Sequence, residues 1–91
     1  MDELGIGWAL EQMRNGKRVR RPGWNGRGMF LFLVGGEDWD IDPDSVSGER
    51  VDFVETTEKA PFIAMKTADD KIVPWLCSQT DLLADDWETA D

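Results

Sequence analysis

The sequence predicts an α+β fold, a small antiparallel sheet flanked by short helices, built as one domain over residues 1–91. Three observations point there. Met29 to Val34 is an uninterrupted apolar run with the length of a strand. Phe62 to Thr67 and Lys71 to Leu76 are two strand-like runs joined through Ala68-Asp69-Asp70, the pattern of a hairpin. Short segments near both ends have the spacing of helices.

Taken in order, Gly7 to Asn15 reads as an amphipathic helix, with Ala9, Leu10 and Met13 on its apolar side. Gly16 is placed to stop it in a left-handed conformation, and Arg14 and Lys17 complement the negative end of its dipole. Lys17 to Arg21 is then extended, so that Arg18 and Arg20 share one face and Val19 points the other way. Pro22 to Gly28 is a loop in which Asn25-Gly26 is a strong turn signal. In the strand that follows, Met29, Leu31 and Leu33 occupy one face and Phe30, Phe32 and Val34 the other. A helix of the same chain covers one such face, and the second calls for a neighbouring subunit or a ligand.

Gly35 to Ala60 is an acidic, turn-rich excursion, with one short strand expected around Val51 to Val54. Pro74 limits the ladder of the strand that contains it, which predicts an edge or a break. Ser78 caps a closing helix with Asp81 as the capping-box acid, and Leu83 and Trp87, four apart on that helix, bury together.

With 41% hydrophobic and 32% charged residues, the composition is that of a globular protein, and no apolar run approaches a membrane span. The start of the chain has neither the positive charge nor the apolar core of a secretory signal. A single cysteine, Cys77, builds no disulfide framework, which fits a reducing cytoplasm. The net charge of −9 argues against general binding to DNA, RNA or an anionic membrane. The charge is nevertheless separated. Arg14, Lys17, Arg18, Arg20, Arg21 and Arg27 are six of the ten basic residues, whereas Glu37 to Glu58 holds nine carboxylates and one base, Arg50. A basic ribbon in an acidic protein suits a small anion, which touches only a local patch.

Two constellations suit a planar polar ligand. Trp24-Asn25-Gly26 sets an indole beside a turn, and Trp75 is followed closely by Ser78-Gln79-Thr80-Asp81. A flat aromatic surface stacks on a base, while neighbouring amides and hydroxyls read its edge or a sugar. Arg18, Arg20 and Arg27 are candidate phosphate partners. The plainer alternatives are that Trp24 plugs the core, that the Ser78 segment only caps a helix, and that the arginines form a solvated face or ion pairs. There is no histidine, and Cys77 has no basic neighbour to activate it, so no enzyme is expected.

Asp38, Asp40, Asp42, Asp44 and Glu49 have the spacing of a calcium loop, but Pro43 stands where that loop needs its turning glycine, and no metal is expected. Asp85 and Asp86, adjacent on a helix, would point apart, which reads as solvated surface.

Further residues bring a specific family into view. Gly16-Lys17-x-Val19-x-Arg21-x-Gly23-Trp24-Asn25-Gly26, then Gly28-Met29-Phe30-Leu31, Met65-Lys66-Thr67-Ala68-Asp69, and Val73-Pro74-Trp75-Leu76-x-Ser78-Gln79-Thr80-Asp81-Leu82-Leu83-Ala84-x-Asp86-Trp87 together resemble the Thoeris anti-defense 2-like domain of phages and prophages. The resemblance spans almost the whole chain in order, and departs most across Glu37 to Lys59.

It implies a phage protein in the cytoplasm of the bacterial host that sequesters an immune messenger. The messenger would be of the cyclic ADP-ribose type, such as glycocyclic ADP-ribose, or for some members also a cyclic dinucleotide at a separate site. It would be held without degradation and without a cofactor. It also implies a homotetramer with pockets between subunits. Carried onto this chain, the pocket residues would be Trp24, Asn25, Gly26, Met29, Trp75, Ser78, Gln79, Thr80 and Asp81. A different class of function, an acidic module that occupies a basic surface on a host protein through Glu37 to Glu58, stands as the alternative.

Overall fold

In the computed structural model, residues 4–24, 28–42 and 57–90 are described. Apolar spacing winds the first of them into helix α1, Ile6–Arg14, whose Ala9 and Met13, one turn apart, are buried. Its end is a Schellman motif. The Lys17 amide donates to the Gln12 carbonyl and the Gly16 amide to the Met13 carbonyl, both at 3.0 Å. Gly16 adopts φ +84°, the left-handed geometry that glycine enters without a β-carbon penalty.

Among the described residues, five strands follow or interleave with a further helix: β1 Val19–Arg20, β2 Phe30–Val34, β3 Phe62–Lys66, β4 Ile72–Pro74, α2 Gln79–Leu82 and β5 Glu88–Thr89. They form one sheet in the order β4-β3-β2-β1-β5, antiparallel at every pairing. The fold class is the one expected, an α+β domain with short helices. Pro74 sits on the edge strand β4, where its missing N–H interrupts nothing further out.

The register puts Leu31 opposite both Val19 and Met65, and Met65 opposite Val73. Val19 and Leu31 are fully buried and cluster with Ala9, Met13 and Trp87. Burial of each such large side chain contributes about 1.5–3 kcal/mol, so this layer between α1 and the sheet is the core. Across the sheet, Phe30 and Phe32 lean on each other at 5.9 Å and stay half-exposed. As the alternation required, α1 covers one face only.

The β3–β4 hairpin closes as anticipated through 68–70. The Thr67 amide donates to the Lys71 carbonyl at 2.8 Å, and Asp70 takes the positive φ of 65° that ends a three-residue loop. The excursion after β2 begins with a turn in which the Asp38 amide donates to the Gly35 carbonyl. It returns so close that a β-carbon on Gly36 would run into the Lys59 carbonyl oxygen. The expected strand around Val51 to Val54 lies outside the described residues.

The C-terminal helix is shorter than the sequence suggested. It stops at Leu82, with Leu83 as its C-cap, so the expected Leu83–Trp87 pair does not form. Leu83 is 78% exposed while Trp87 is completely buried. The reason lies at Trp87, whose amide donates to the Leu4 carbonyl and whose indole N–H donates to the Asp81 carbonyl. The next residues pair with β1, which requires extended chain where a helix would have continued.

Candidate functional site

Trp87 is the hub on which the two predicted aromatic segments meet. Trp24 stands edge-on to it at 5.5 Å and 86°, and Trp75 edge-on at 6.0 Å and 89°. Such T-shaped contacts set the positive edge of one ring on the negative face of another and add about 0.5–1.5 kcal/mol beyond burial. Trp24 and Trp75 both keep part of their surface in solvent. Both contacts with Trp87 lie within one chain.

The polar side of this junction is fixed by Asp81. Its Oδ1 accepts from the Trp24 indole N–H at 3.3 Å and from the Arg21 guanidinium at 2.8 Å. Arg21 also donates through Nε to Asp86 at 2.7 Å. Asp81, expected as the capping-box acid, thus also ties the Trp24 loop and Arg21 to the start of α2. The capping itself is as anticipated, because Ser78 Oγ accepts from the Asp81 amide at 3.2 Å. Burial pushes the Asp81 carboxyl up, yet hydrogen bonds from Arg21, Trp24 and Ser78 and the guanidinium charge outweigh it, leaving it below its ordinary value. The Arg21 guanidinium is held charged ever more firmly, first by its hydrogen bond to Asp86 and then by that to Asp81.

Asp86 thus departs from the expectation of a solvated surface carboxylate. Arg21, Asp86 and Trp87 are also the residues that reading for a site passed over. A signal existed: Arg21 continues the Val19 side of the extended segment, and a cation on the inward parity requires a partner.

The remaining described candidates fall into three places. Trp24, Met29 and Arg20 line one cavity of about 370 Å³ together with Arg21, Pro22, Gly28 and Glu88. Arg20 is engaged there by Glu88 at 2.9 Å. Arg18 and Arg20 do share a face opposite Val19, but Arg18 lies over the Phe30 ring at 4.8 Å and lines a separate groove of about 360 Å³ with Phe32, Lys66 and Ile72. On the 75–81 segment, which lines neither cavity, Ser78 and Thr80 pair their hydroxyls at 3.0 Å. Gln79 is exposed, and its side chain has no hydrogen-bond partner among the described residues. Asn25, Gly26 and Arg27 lie outside the described residues.

A larger cavity, about 760 Å³, lies at the start and return of the acidic excursion. Its lining includes Glu37, Asp38, Asp40 and Glu58 with Lys59 as the sole cation among the described residues, and Lys59 is paired to Asp40 at 3.0 Å. That field repels anions. Asp44 and Glu49 of the calcium-like spacing lie outside the described residues, and among those described no three side chains cluster as metal ligands would. Two residues after Trp75, local desolvation and then the Asp81 charge push the Cys77 thiol up, which disfavours the thiolate. No helix among the described residues is long and apolar enough to cross a membrane.

Comparison with known proteins adds two findings. The model of the Thoeris anti-defense 2-like domain matches residues 4–90. The chain is also 41% identical over 86 residues to Thoeris anti-defense 2 of Bacillus phage SP01, covering 94% of this chain and 93% of that protein.

Proposed function

This chain belongs to the Thoeris anti-defense 2-like family, and on that premise we propose that it disarms a bacterial defence by binding a cyclic nucleotide messenger and holding it intact. The messenger is a cyclic ADP-ribose-type molecule, and the protein is a non-catalytic binder in the host cytoplasm. The observation that carries this reading is the junction at Trp87, which Trp24 and Trp75 both meet edge-on while Trp24 also lines a cavity with Arg20 and Met29.

Each part has a chemical use. A half-exposed indole stacks on adenine for about 1–3 kcal/mol. Gln79 and Thr80, both exposed, offer an amide and a hydroxyl to base edges and ribose. Asn25 joins them in reading the base edge or ribose, and Arg20 and Arg27 are the phosphate partners. Arg20 reaches a phosphate by exchanging Glu88, a half-exposed partner that is cheap to leave. The cavity of about 370 Å³ lies at the small end of ligand pockets and holds part of such a messenger. Homotetramer formation, which would enclose the rest between subunits, belongs to the same proposal.

The test is to mix the protein with the product of a TIR-domain enzyme, remove the protein, and heat it to release what it holds. Depletion from solution followed by recovery of unchanged messenger is the expected result. An altered product would mean catalysis, and an undepleted solution would remove the proposal.

A further inference from the structure

We infer that Arg21 is a positioning residue that locks the Trp24 ring against the 75–81 segment before any ligand arrives. The inference rests on the proposed function for its consequence in binding, but its structural half stands alone. Arg21 leaves the end of β1 just ahead of the Trp24 loop, and Asp81 and Asp86 belong to the α2–β5 region, 60 and 65 residues later. One guanidinium spans both carboxylates at 2.8 and 2.7 Å, and the Oδ1 it holds on Asp81 is the atom that receives the Trp24 indole N–H.

A planar fork is needed for that task. Arg21 uses Nε and Nη2 toward Asp86 and Nη1 toward Asp81, directions set by the guanidinium plane. A lysine ammonium carries the same charge as a point and cannot reproduce the spacing. The group is also shielded, with Arg21 and Asp81 side chains 23% and 15% exposed, so these hydrogen bonds are screened less than surface pairs. By contrast, Arg20, the neighbouring cation, is 43% exposed with one partner, which suits a residue that must exchange. Both adjacent arginines line the cavity, but they divide the work: Arg20 is exchangeable, and Arg21 holds the Trp24 wall. A wall already fixed lowers the ordering cost of binding, and its loss appears mainly as faster release.

The experiment compares wild type with R21K in protein labelled with ¹⁵N on tryptophan. Two rates are measured: hydrogen exchange of the indole N–H groups, and dissociation of cyclic ADP-ribose. The Trp24 signal is assigned by its absence in W24F. The Trp39 indole, bonded to the Ala60 carbonyl at 2.9 Å and remote from Arg21, is the internal control for general unfolding. The expected result is at least tenfold faster exchange at Trp24 with Trp39 unchanged, and at least tenfold faster ligand release with the association rate kept. Unchanged exchange at Trp24 overturns the inference whatever the ligand does. Faster exchange with unaltered release shows that the clamp is not what retains the ligand, and overturns the positioning role. Exchange rising equally at Trp24 and Trp39 shows a global loss of stability and overturns it as well. A wild-type protein that does not bind cyclic ADP-ribose counts against the proposed function alone, and the Trp24 exchange rate then decides whether Arg21 locks the ring.

Discussion

The indole N–H of Trp24 donates to the carboxylate of Asp81, 57 residues further along the chain, at 3.3 Å. This one contact ties the loop after β1 to the first turn of α2. It also gives both residues a duty inside the chain before they meet anything else. Trp24 rests against Trp87, and Asp81 is neutralised by Arg21.

Replacing Trp24 therefore separates packing from recognition. Trp24→Phe keeps one ring against Trp87 but loses the N–H and the second ring of the indole, which costs about 1 kcal/mol of stability. Trp24→Ala removes the half-exposed ring and costs about 2 kcal/mol. Urea unfolding measures both. If the ring is a stacking platform, messenger depletion falls much further in Trp24→Ala than in Trp24→Phe, while oligomer size by light scattering is the same in both. Equal depletion by wild type and Trp24→Ala would exclude Trp24 from the pocket.

Much of this was legible in the sequence, for physical reasons that differ by element. The β2 strand and the 68–70 hairpin were readable because alternation and turn chemistry are local. The Gly16 stop was readable because only glycine takes that φ without penalty. The closing helix was over-read because helical spacing from Leu83 to Trp87 competes with two non-local demands, the Leu4 carbonyl and the pairing of β5 with β1. No local pattern announces those demands. At the site, the two tryptophan segments were visible as composition, but their shared hub, Trp87, looked like an ordinary core residue. Arg21 was hidden for a similar reason: in a basic ribbon of six cations, its inward parity distinguishes it only once its carboxylate partners are known.

Acid should unfasten the Asp81 contact. A carboxyl whose native pKa is depressed contributes stability that is complete above the unfolded value of about 3.9 and is lost as pH falls through the lower native value. Asp81→Asn removes that contribution. It destabilises the protein at pH 7 by about 1–2 kcal/mol, and the gap from wild type narrows as the pH is lowered below about 4. Asp40 and Asp69 are also held low, by hydrogen bonds first from Lys59 and first from Thr67 respectively, but both remain in the variant and cancel in the comparison. Melting temperatures taken at pH 7 and near pH 3 measure the effect. A constant gap across that range would mean that Asp81 is not the titrating group.

The return of the acidic excursion should be intolerant of a single methyl group. At Gly36 a β-carbon meets backbone, the Lys59 carbonyl oxygen, which has no rotamer by which to move aside. Gly36→Ala should cost about 1–3 kcal/mol through the forced backbone shift. Gly16→Ala meets nothing within 4 Å, so its cost is only the left-handed φ, about 1–2 kcal/mol. The two are distinguished by the Trp39 indole, whose bond to the Ala60 carbonyl lies in the returning segment. Its hydrogen exchange quickens selectively in Gly36→Ala and not in Gly16→Ala. Selective quickening in both would mean that the close approach is not what holds the crossing.

Glu88 offers the sharpest electrostatic test of where the anion sits. Its carboxylate pairs with Arg20 at 2.9 Å, but both side chains are more than 40% exposed, so the pair contributes little stability, under about 1 kcal/mol. Glu88→Gln should leave the melting temperature nearly unchanged while releasing Arg20 and removing one negative charge from the cavity lined by Arg20, Arg21, Trp24 and Met29. A charge about 8 Å from a phosphate, at an effective dielectric of about 40, is worth roughly 1 kcal/mol, so the affinity for cyclic ADP-ribose should rise about fivefold. Added salt should shrink that gain, because the cavity is open to solvent and the interaction is screened. Titration calorimetry at low and high ionic strength reads both effects. A weaker, salt-independent affinity in Glu88→Gln would mean that Glu88 itself bonds the ligand, through a ribose hydroxyl, and that the phosphates lie elsewhere.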